Sequence, residues 1–473
     1  MNWKKKSIFI LSVIVCCIPL FLTFNRGINY FDEGFILEGA RRMGIGELPY
    51  RDFHFIYTPL PIFLLSFMFR LFGSSIIVER ILGLSISILG VIFLGLLTSK
   101  LTKNVLLTFF SMFLYALWGP THINFLWPVM IVLPFVFIYL FLFLESHYFL
   151  AGLVAGVIFI FKHNFGAAVV ISFICYFFIG GRPKKQIIAV SVGFISMMGA
   201  FLLFLVGTKS LIPFLLEIYT FTIQEGIIKK SFSVPYPTQS LFKSVLYAFP
   251  GICSCILGIG LIIQKEKRHF VIIPITFLFV YLLGIFPTPD WTHLTPLLST
   301  TGVLIALFPL MGKRLYNGVS YLLLSIIICF GIGSLIIRNY YRWEAPLTKQ
   351  THCFSSGSMK YMCIDDKNYS IVSQTLAVMK KETATQAYIF STYHNAIYYF
   401  LAQKKNPTSH IESPHGSKEE QKVINELKEK KVSIIITRFP MGGNPSKIVA
   451  QFIEKNYYPM HGVYEFTVWK KKN

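Results

Sequence analysis

The stretch NRGINYFDEGFILEGARRMGIGELPYRDFHFIYTPLP, residues 25–61, decides how the rest of the chain is read. It follows a first apolar segment, residues 7–23, and precedes almost all the others. It holds Asp32, Glu33, Glu38, Glu47 and Asp52 beside Arg41, Arg42 and Arg51, although the whole 473-residue chain has only 22 acidic residues. Charge gathered this way in a first loop marks the loop as one that does work.

Outward from that loop the chain is apolar. It is 54% hydrophobic and 14% charged, against about 25% charged in a soluble domain. No Asp, Glu, Lys or Arg lies in residues 105–143, 163–181 or 187–208. A helix needs roughly 20 apolar residues to cross a hydrocarbon core, and it satisfies its own backbone hydrogen bonds there. These runs read as membrane spans, about 11–13 in all by hydropathy. The net charge of +22 follows from short basic loops at residues 4–6, 182–185, 265–268 and 313–314 and from contact with a membrane surface. Nothing resembles a nucleic-acid motif with interleaved aromatics.

The basic residues before the first span place the N-terminus inside. No small-residue cleavage site is clear, so that span is read as retained. The loop 25–58 is then outside. Residues 33–43 fit a short helix with Ile36, Ala40 and Met43 on one face and Glu38, Arg41 and Arg42 away from it, as suits a helix lying flat on the membrane. Gly44, Gly46 and Pro49 end it. Residues 104–180 contain four hydrophobic segments, interrupted at Gly119 and Pro120, at 145–147 and at 162–164. Four crossings would put the basic loop 182–185 outside, so one segment is expected to be re-entrant or fused with its neighbour. Residues 211–240 form a second external segment ending in a Pro-Tyr-Pro turn, with later spans near 242–263, 270–286, 295–311 and 315–337.

Residues 1–337 are therefore expected to form a transmembrane domain and residues 338–473 a small external α/β domain. In the latter, 387–392, 432–437 and 463–469 read as strands, and 417–430 and 445–456 as amphipathic helices. It contains no phosphate loop or nucleophile elbow. Six of the eight cysteines sit in apolar runs and read as small buried residues. Cys353 and Cys363 lie in a polar region and read as a disulfide, if that region is outside, or as two free thiols.

Five places can carry chemistry. Asp32 or Glu33 can act as a general base toward an acceptor hydroxyl, while Asp32 is also placed to cap the helix that follows. Tyr50, Arg51 and Asp52 follow the glycine turn. Arg51 can hold a phosphate, and the simpler reading of Asp52 is a pair with Arg51. Lys162 and His163 interrupt an apolar run, where ionisable groups are costly and usually functional. The alternative is a lysine snorkelling at a helix end. Asp290 and His293 share a face if a helix begins there, and can bind sugar hydroxyls, a phosphate or a metal, or simply cap that helix. Glu217 and Glu225 offer a second carboxylate or a solvated helix face.

The order of Asp32-Glu33, Ala40, Gly46, Pro49-Tyr50, Asp52, Pro59, Phe72-Gly73 and Arg80 resembles the polyprenyl-phosphate-sugar-dependent glycosyltransferases of the GT-C fold. That superfamily includes protein O-mannosyltransferases and lipid A aminoarabinose transferases. Lys162, the Asp290/His293 turn, and Ile389-Phe-Ser-Thr with Tyr398-Tyr-Phe-Leu fit the same pattern. The resemblance implies an inverting transfer outside the cytoplasmic membrane from a polyprenyl-phosphate sugar. The acceptor would be a cell-envelope glycan, a lipid or a protein. Asp32 would be the base, with Glu33 positioning the acceptor or a cation. Lys162, His163, Arg51 and His293 would receive the donor phosphate, and Tyr50, Asp52 and Asp290 would contact substrate. The family is divided on metal use, so no cofactor is required and a divalent cation is left open. The rival classes are a transporter or flippase of lipid-linked sugars, for which no inverted repeat is seen, and a polysaccharide polymerase or ligase.

Overall fold

A computed structural model describes residues 3–180, 184–219, 241–285, 291–312, 314–336, 345–382, 387–392, 395–411, 417–438, 446–463 and 466–472. Arg182, Lys313, Glu225, Asp290 and the Pro-Tyr-Pro turn of residues 235–237 lie outside the described residues. The chain divides into two compact units. One comprises residues 1–24, 81–207 and 218–346; the other joins residues 25–80 and 208–217 to residues 347–473. The first loop thus belongs with the C-terminal residues, a grouping that a cut at residue 337 does not convey.

The first unit is helical. Among the described residues of the whole chain, five helices are long and apolar enough to cross a membrane, among them Ile76–Thr102 and Lys184–Gly207, and seven shorter apolar helices accompany them, of which Leu60–Phe72 lies in the second unit. Apolar side chains are exposed in quantity, including Phe178, Leu203, Ile263 and Leu315, each more than 70% accessible. A water-soluble surface does not tolerate so much contiguous apolar area. Lipid does, and the protein is a multi-pass membrane protein.

The four segments of 104–180 are four separate helices, Val105–Trp118, Pro128–Leu144, Tyr148–Phe161 and His163–Gly180. The last two are parted by one residue. Lys162 is extended (φ −158°, ψ 106°), and a Cβ on Gly166 would stand 2.5 Å from the Cα of Phe159. Those residues would be about 10 Å apart in one continuous helix, so the chain reverses at Lys162. Helix Tyr148–Phe161 then packs on Lys184–Gly207 through small residues. A Cβ at Gly152 would lie 2.1 Å from the Val190 carbonyl, the contact that lets helix backbones meet in lipid.

The second unit is α/β. Its four-stranded sheet has the order Phe390–Ser391, Ile434–Arg438, Phe466–Lys471, Tyr457–Val463. The first pair is parallel and the other two are antiparallel. Helices Ser417–Glu429 and Lys447–Asn456 bury Val423, Ile424, Leu427, Val449 and Ile453 with Phe390 and Ile435 in one core. Glu420 accepts from the backbone N–H groups of Ile448 (2.7 Å) and Val449 (3.2 Å), satisfying two free donors of the second helix. Among the elements not expected are helix Asp366–Glu382, the short helix Ile397–Leu401 and strand Tyr457–Val463. Cys353 and Cys363 are joined by a disulfide across a two-stranded ladder.

The loop helix spans Asp32–Gly44, and its polar face is not solvated. Glu33 and Glu38 are wholly buried, and Arg41 and Arg42 nearly so. The polar face, expected to look away from a membrane surface into water, is instead covered by protein within this unit. Helix Leu60–Phe72 packs on one side and residues Ile397–Leu401 on another, so closely that a Cβ on Gly34 would stand 2.4 Å from the Ile397 backbone nitrogen. Backbone cannot move aside as a side chain can. Gly34→Ala is therefore expected to destabilise this unit by about 1–3 kcal/mol, read as a lowered melting temperature of the detergent-purified protein. An unchanged melting temperature would refute the close packing at Gly34.

Candidate functional site

Asp32 and Glu33 open the loop helix, and the turn before them is built by Asn29. Its Oδ1 accepts from the backbone N–H groups of Phe31 (3.0 Å) and Asp32 (2.9 Å). The capping role considered for Asp32 therefore belongs to Asn29, three residues earlier. Glu33 reaches back, and its Oε2 accepts from the Asn29 N–H at 2.9 Å, as in a capping box.

The other oxygen of Glu33 meets Arg80. Arg80 Nε and Nη2 lie 2.8 and 2.6 Å from Glu33 Oε1, and both side chains are almost inaccessible. Arg80 also donates to the carbonyls of Arg26 and Gly27, each at 3.3 Å. Glu33 thus has both oxygens in use and acts as a strut of the loop. Asp32 retains slight exposure, and its Oδ2 accepts from Asn29 Nδ2 at 3.2 Å.

The Tyr50–Asp52 turn is self-contained. Tyr50 takes a left-handed backbone (φ 69°). It donates its hydroxyl to the Tyr57 carbonyl at 2.6 Å and sets its ring on Phe214. Arg51 clasps Asp52 through two hydrogen bonds of 3.0 and 2.7 Å. Those bonds, chiefly, hold the Asp52 carboxyl below its ordinary range. This is the pairing that the simpler reading gives Asp52. Glu217 is not on a solvated face: its Oε2 lies 2.9 Å from His54 Nδ1.

Lys162, His163 and His293 belong to the helical unit. Lys162 is buried at the reversal, where its carbonyl accepts from Phe165 and Gly166 at 3.0 and 3.1 Å. Asn164 beside it donates to the Leu283 carbonyl at 2.7 Å, tying the reversal to helix Ile272–Ile285. His293 stands edge-on to Trp127, with ring centres 5.8 Å apart. Asp32, Glu33, Tyr50, Arg51 and Asp52 all belong to the α/β unit. The residue given no part by sequence reasoning is Arg80. Its signal was its place in the ordered motif series, and its charge pointed to no partner.

Removing one member of a buried ion pair leaves a buried charge alone and costs about 3–5 kcal/mol. Glu33→Gln, which takes the carboxylate from the buried contact with Arg80, is expected to approach that loss and to melt below Asp32→Asn. Thermal unfolding of the two purified variants checks this. Equal melting temperatures would remove the strut role from Glu33.

No family model and no curated protein matches the chain. Solved structures do. ArnT from Cupriavidus metallidurans in the apo state superposes with a TM-score of 0.61 at 13% identity, over 98% of each chain. The same protein bound to undecaprenyl phosphate gives 0.58 at 12%, over 99% of this chain and 98% of that one. Such identities speak for the fold alone, which over nearly the full length of this chain is that of ArnT.

Proposed function

We propose that this protein is a membrane glycosyltransferase that moves a sugar from a polyprenyl-phosphate donor to an acceptor hydroxyl, with inversion. The observation that carries the reading is the near-full-length likeness to ArnT, one of whose structures holds undecaprenyl phosphate. The acidic pair at the head of a buried loop helix adds to it. A nucleotide sugar stays inside the cell, and a lipid-linked one is presented outside. The Cys353–Cys363 disulfide agrees with an oxidising compartment for the α/β unit.

In this mechanism Asp32 accepts the proton of the acceptor hydroxyl as its oxygen bonds to the anomeric carbon. The bond from that carbon to the phosphate oxygen breaks on the opposite face, and its electron pair leaves with the polyprenyl phosphate. Asp32 is preferred to Glu33 because Glu33 has both oxygens engaged. Lys162 is our choice to stabilise the departing phosphate, since a cation in a water-poor site acts strongly on developing charge. His163, His293 and Arg51 are further candidates, Arg51 with its guanidinium already shared with Asp52. The sugar contacts assigned to Tyr50, Asp52 and Asp290 belong to the same proposal. The acceptor is a glycan, a lipid or a protein.

Transfer from radiolabelled polyprenyl-phosphate sugars, measured in membranes containing wild type, Asp32→Asn or Lys162→Met, tests the reading. Asp32→Asn is expected to lower the rate by about 10²–10⁴-fold, the usual contribution of a general base, with donor binding unchanged. Lys162→Met is expected to lower it by about 10²–10³-fold. A wild-type rate in Asp32→Asn would take Asp32 out of the chemistry. Lipid-linked sugar crossing the bilayer without transfer would favour a flippase.

A further inference from the structure

A group apart from the acidic pair converges in the α/β unit. His54 lies on the extended segment after the Tyr50 turn, and His410 on a second segment that runs beside it. The two are bridged as neighbouring strand residues, and His54 N–H donates to the Ser409 carbonyl at 2.9 Å. Their rings stack with centroids 4.1 Å apart. Glu419, in the first turn of helix Ser417–Glu429, completes the group. One ring nitrogen from each histidine and one Glu419 oxygen all lie within 4.8 Å of one another.

Two details give the cluster a direction. His54 Nδ1 lies 2.9 Å from Glu217 Oε2. A carboxylate only accepts, so Nδ1 carries the hydrogen and the lone pair of His54 is on Nε2. A carboxylate behind a histidine is the arrangement that orients imidazole toward a metal and raises its basicity. Glu419 Oε2 is buried and makes no hydrogen bond, and its nearest histidine nitrogen, His410 Nε2, is 3.5 Å away. A buried oxygen without a donor is costly, and a cation between it and two imidazoles removes the cost.

The charges around the group permit this. Lys422 and Arg42 face His410. Arg42 is ion-paired with Glu47, and Glu217 and Glu419 bring two carboxylates. Imidazole suits zinc and its neighbours among the transition metals, and two histidines with one carboxylate is a set that zinc uses. Magnesium and calcium prefer oxygen donors.

We propose that His54, His410 and Glu419 bind a divalent transition-metal ion of the zinc class, with Glu217 orienting His54. The ion would pin the segment after the first-loop turn to the segment around residue 410 and to the start of helix Ser417–Glu429. It does not rest on the transfer reading, and no step of that reaction passes through it.

The test uses the full-length protein in detergent after treatment with a chelator. Co2+ is titrated and followed by its visible absorption, then displaced with Zn2+. The expected result is one equivalent bound, a tetrahedral spectrum, and Zn2+ raising the melting temperature of wild type. His54→Ala and Glu419→Gln should each weaken binding by at least about tenfold, and Glu217→Gln by about tenfold, the effect of losing an outer partner. Glu419 is partly exposed, so Glu419→Gln keeps the fold and decides the matter if a histidine variant does not. Absence of saturable Co2+ binding by wild type overturns the proposal, as does Glu419→Gln binding like wild type.

Discussion

The buried ion pair between Glu33 and Arg80 is the constraint on which the first loop depends. Desolvating a carboxylate and a guanidinium costs several kcal/mol per ion. The cost is met only when geometry is good and the remaining donors are used. Here Glu33 Oε1 meets Nε and Nη2 of Arg80, Oε2 takes the Asn29 N–H, and Arg80 holds two backbone carbonyls before the helix. The pair ties the head of helix Asp32–Gly44 to the start of helix Ile76–Thr102 across 47 residues of sequence. Glu33 without Arg80 would lose the guanidinium that faces it, and Arg80 without Glu33 would keep the longer contact to Glu79 Oε2 at 3.3 Å, so the loop is strained by the loss of either.

The same logic runs along the loop helix. Glu38 and Arg41 form a bidentate pair with both bonds at 2.7 Å. Arg42 pairs with Glu47, donates to the Thr408 carbonyl at 2.9 Å and lies over the Phe53 ring. A helix so rich in charge can be buried because its charges find opposites, Glu38 and Arg42 within a few residues and Glu33 in Arg80 farther along the chain. Gly34 adds a steric condition, since it lets the helix approach the Ile397 backbone more closely than any side chain would allow. Charge pairing and close approach together fix the rotation of the helix, and so fix where Asp32 points.

The membrane spans were legible because lipid imposes length and apolarity on each of them, and the helices Ile76–Thr102 and Lys184–Gly207 fall where those two conditions place them. The break at Lys162 was legible as an interruption, but its nature was not. Whether a chain bends or reverses at a polar residue depends on its packing partners, and here Gly166 must fit against Phe159. The loop helix was found and its surroundings misread. Amphipathicity reports that a helix has two faces, not what covers the polar one, and water, lipid headgroups and opposite charges are equivalent to a sequence pattern. Tyr457–Val463 escaped because Pro459 and Gly462 are poor strand formers, while an edge position with a bulge tolerates both. The histidines at 54 and 410 could not be paired in advance, because metal-ligand spacing is read within a segment and this group is assembled from three.

Adjacent carboxylates invite a shared role, and helix geometry argues against one here. Successive residues of an α-helix are turned by about 100°, so Asp32 and Glu33 leave the axis in different directions and cannot both face one small site. Glu33 faces Arg80 and is sealed from solvent. Asp32, a third of a turn away, has Asn29 beside it and some accessible surface. Glu33, with both oxygens engaged, has no free oxygen to turn toward an acceptor. The sequence Asp-Glu then carries two different placements, the second residue holding the head of the helix through Arg80 and the first, the base we propose, leaving the axis in another direction.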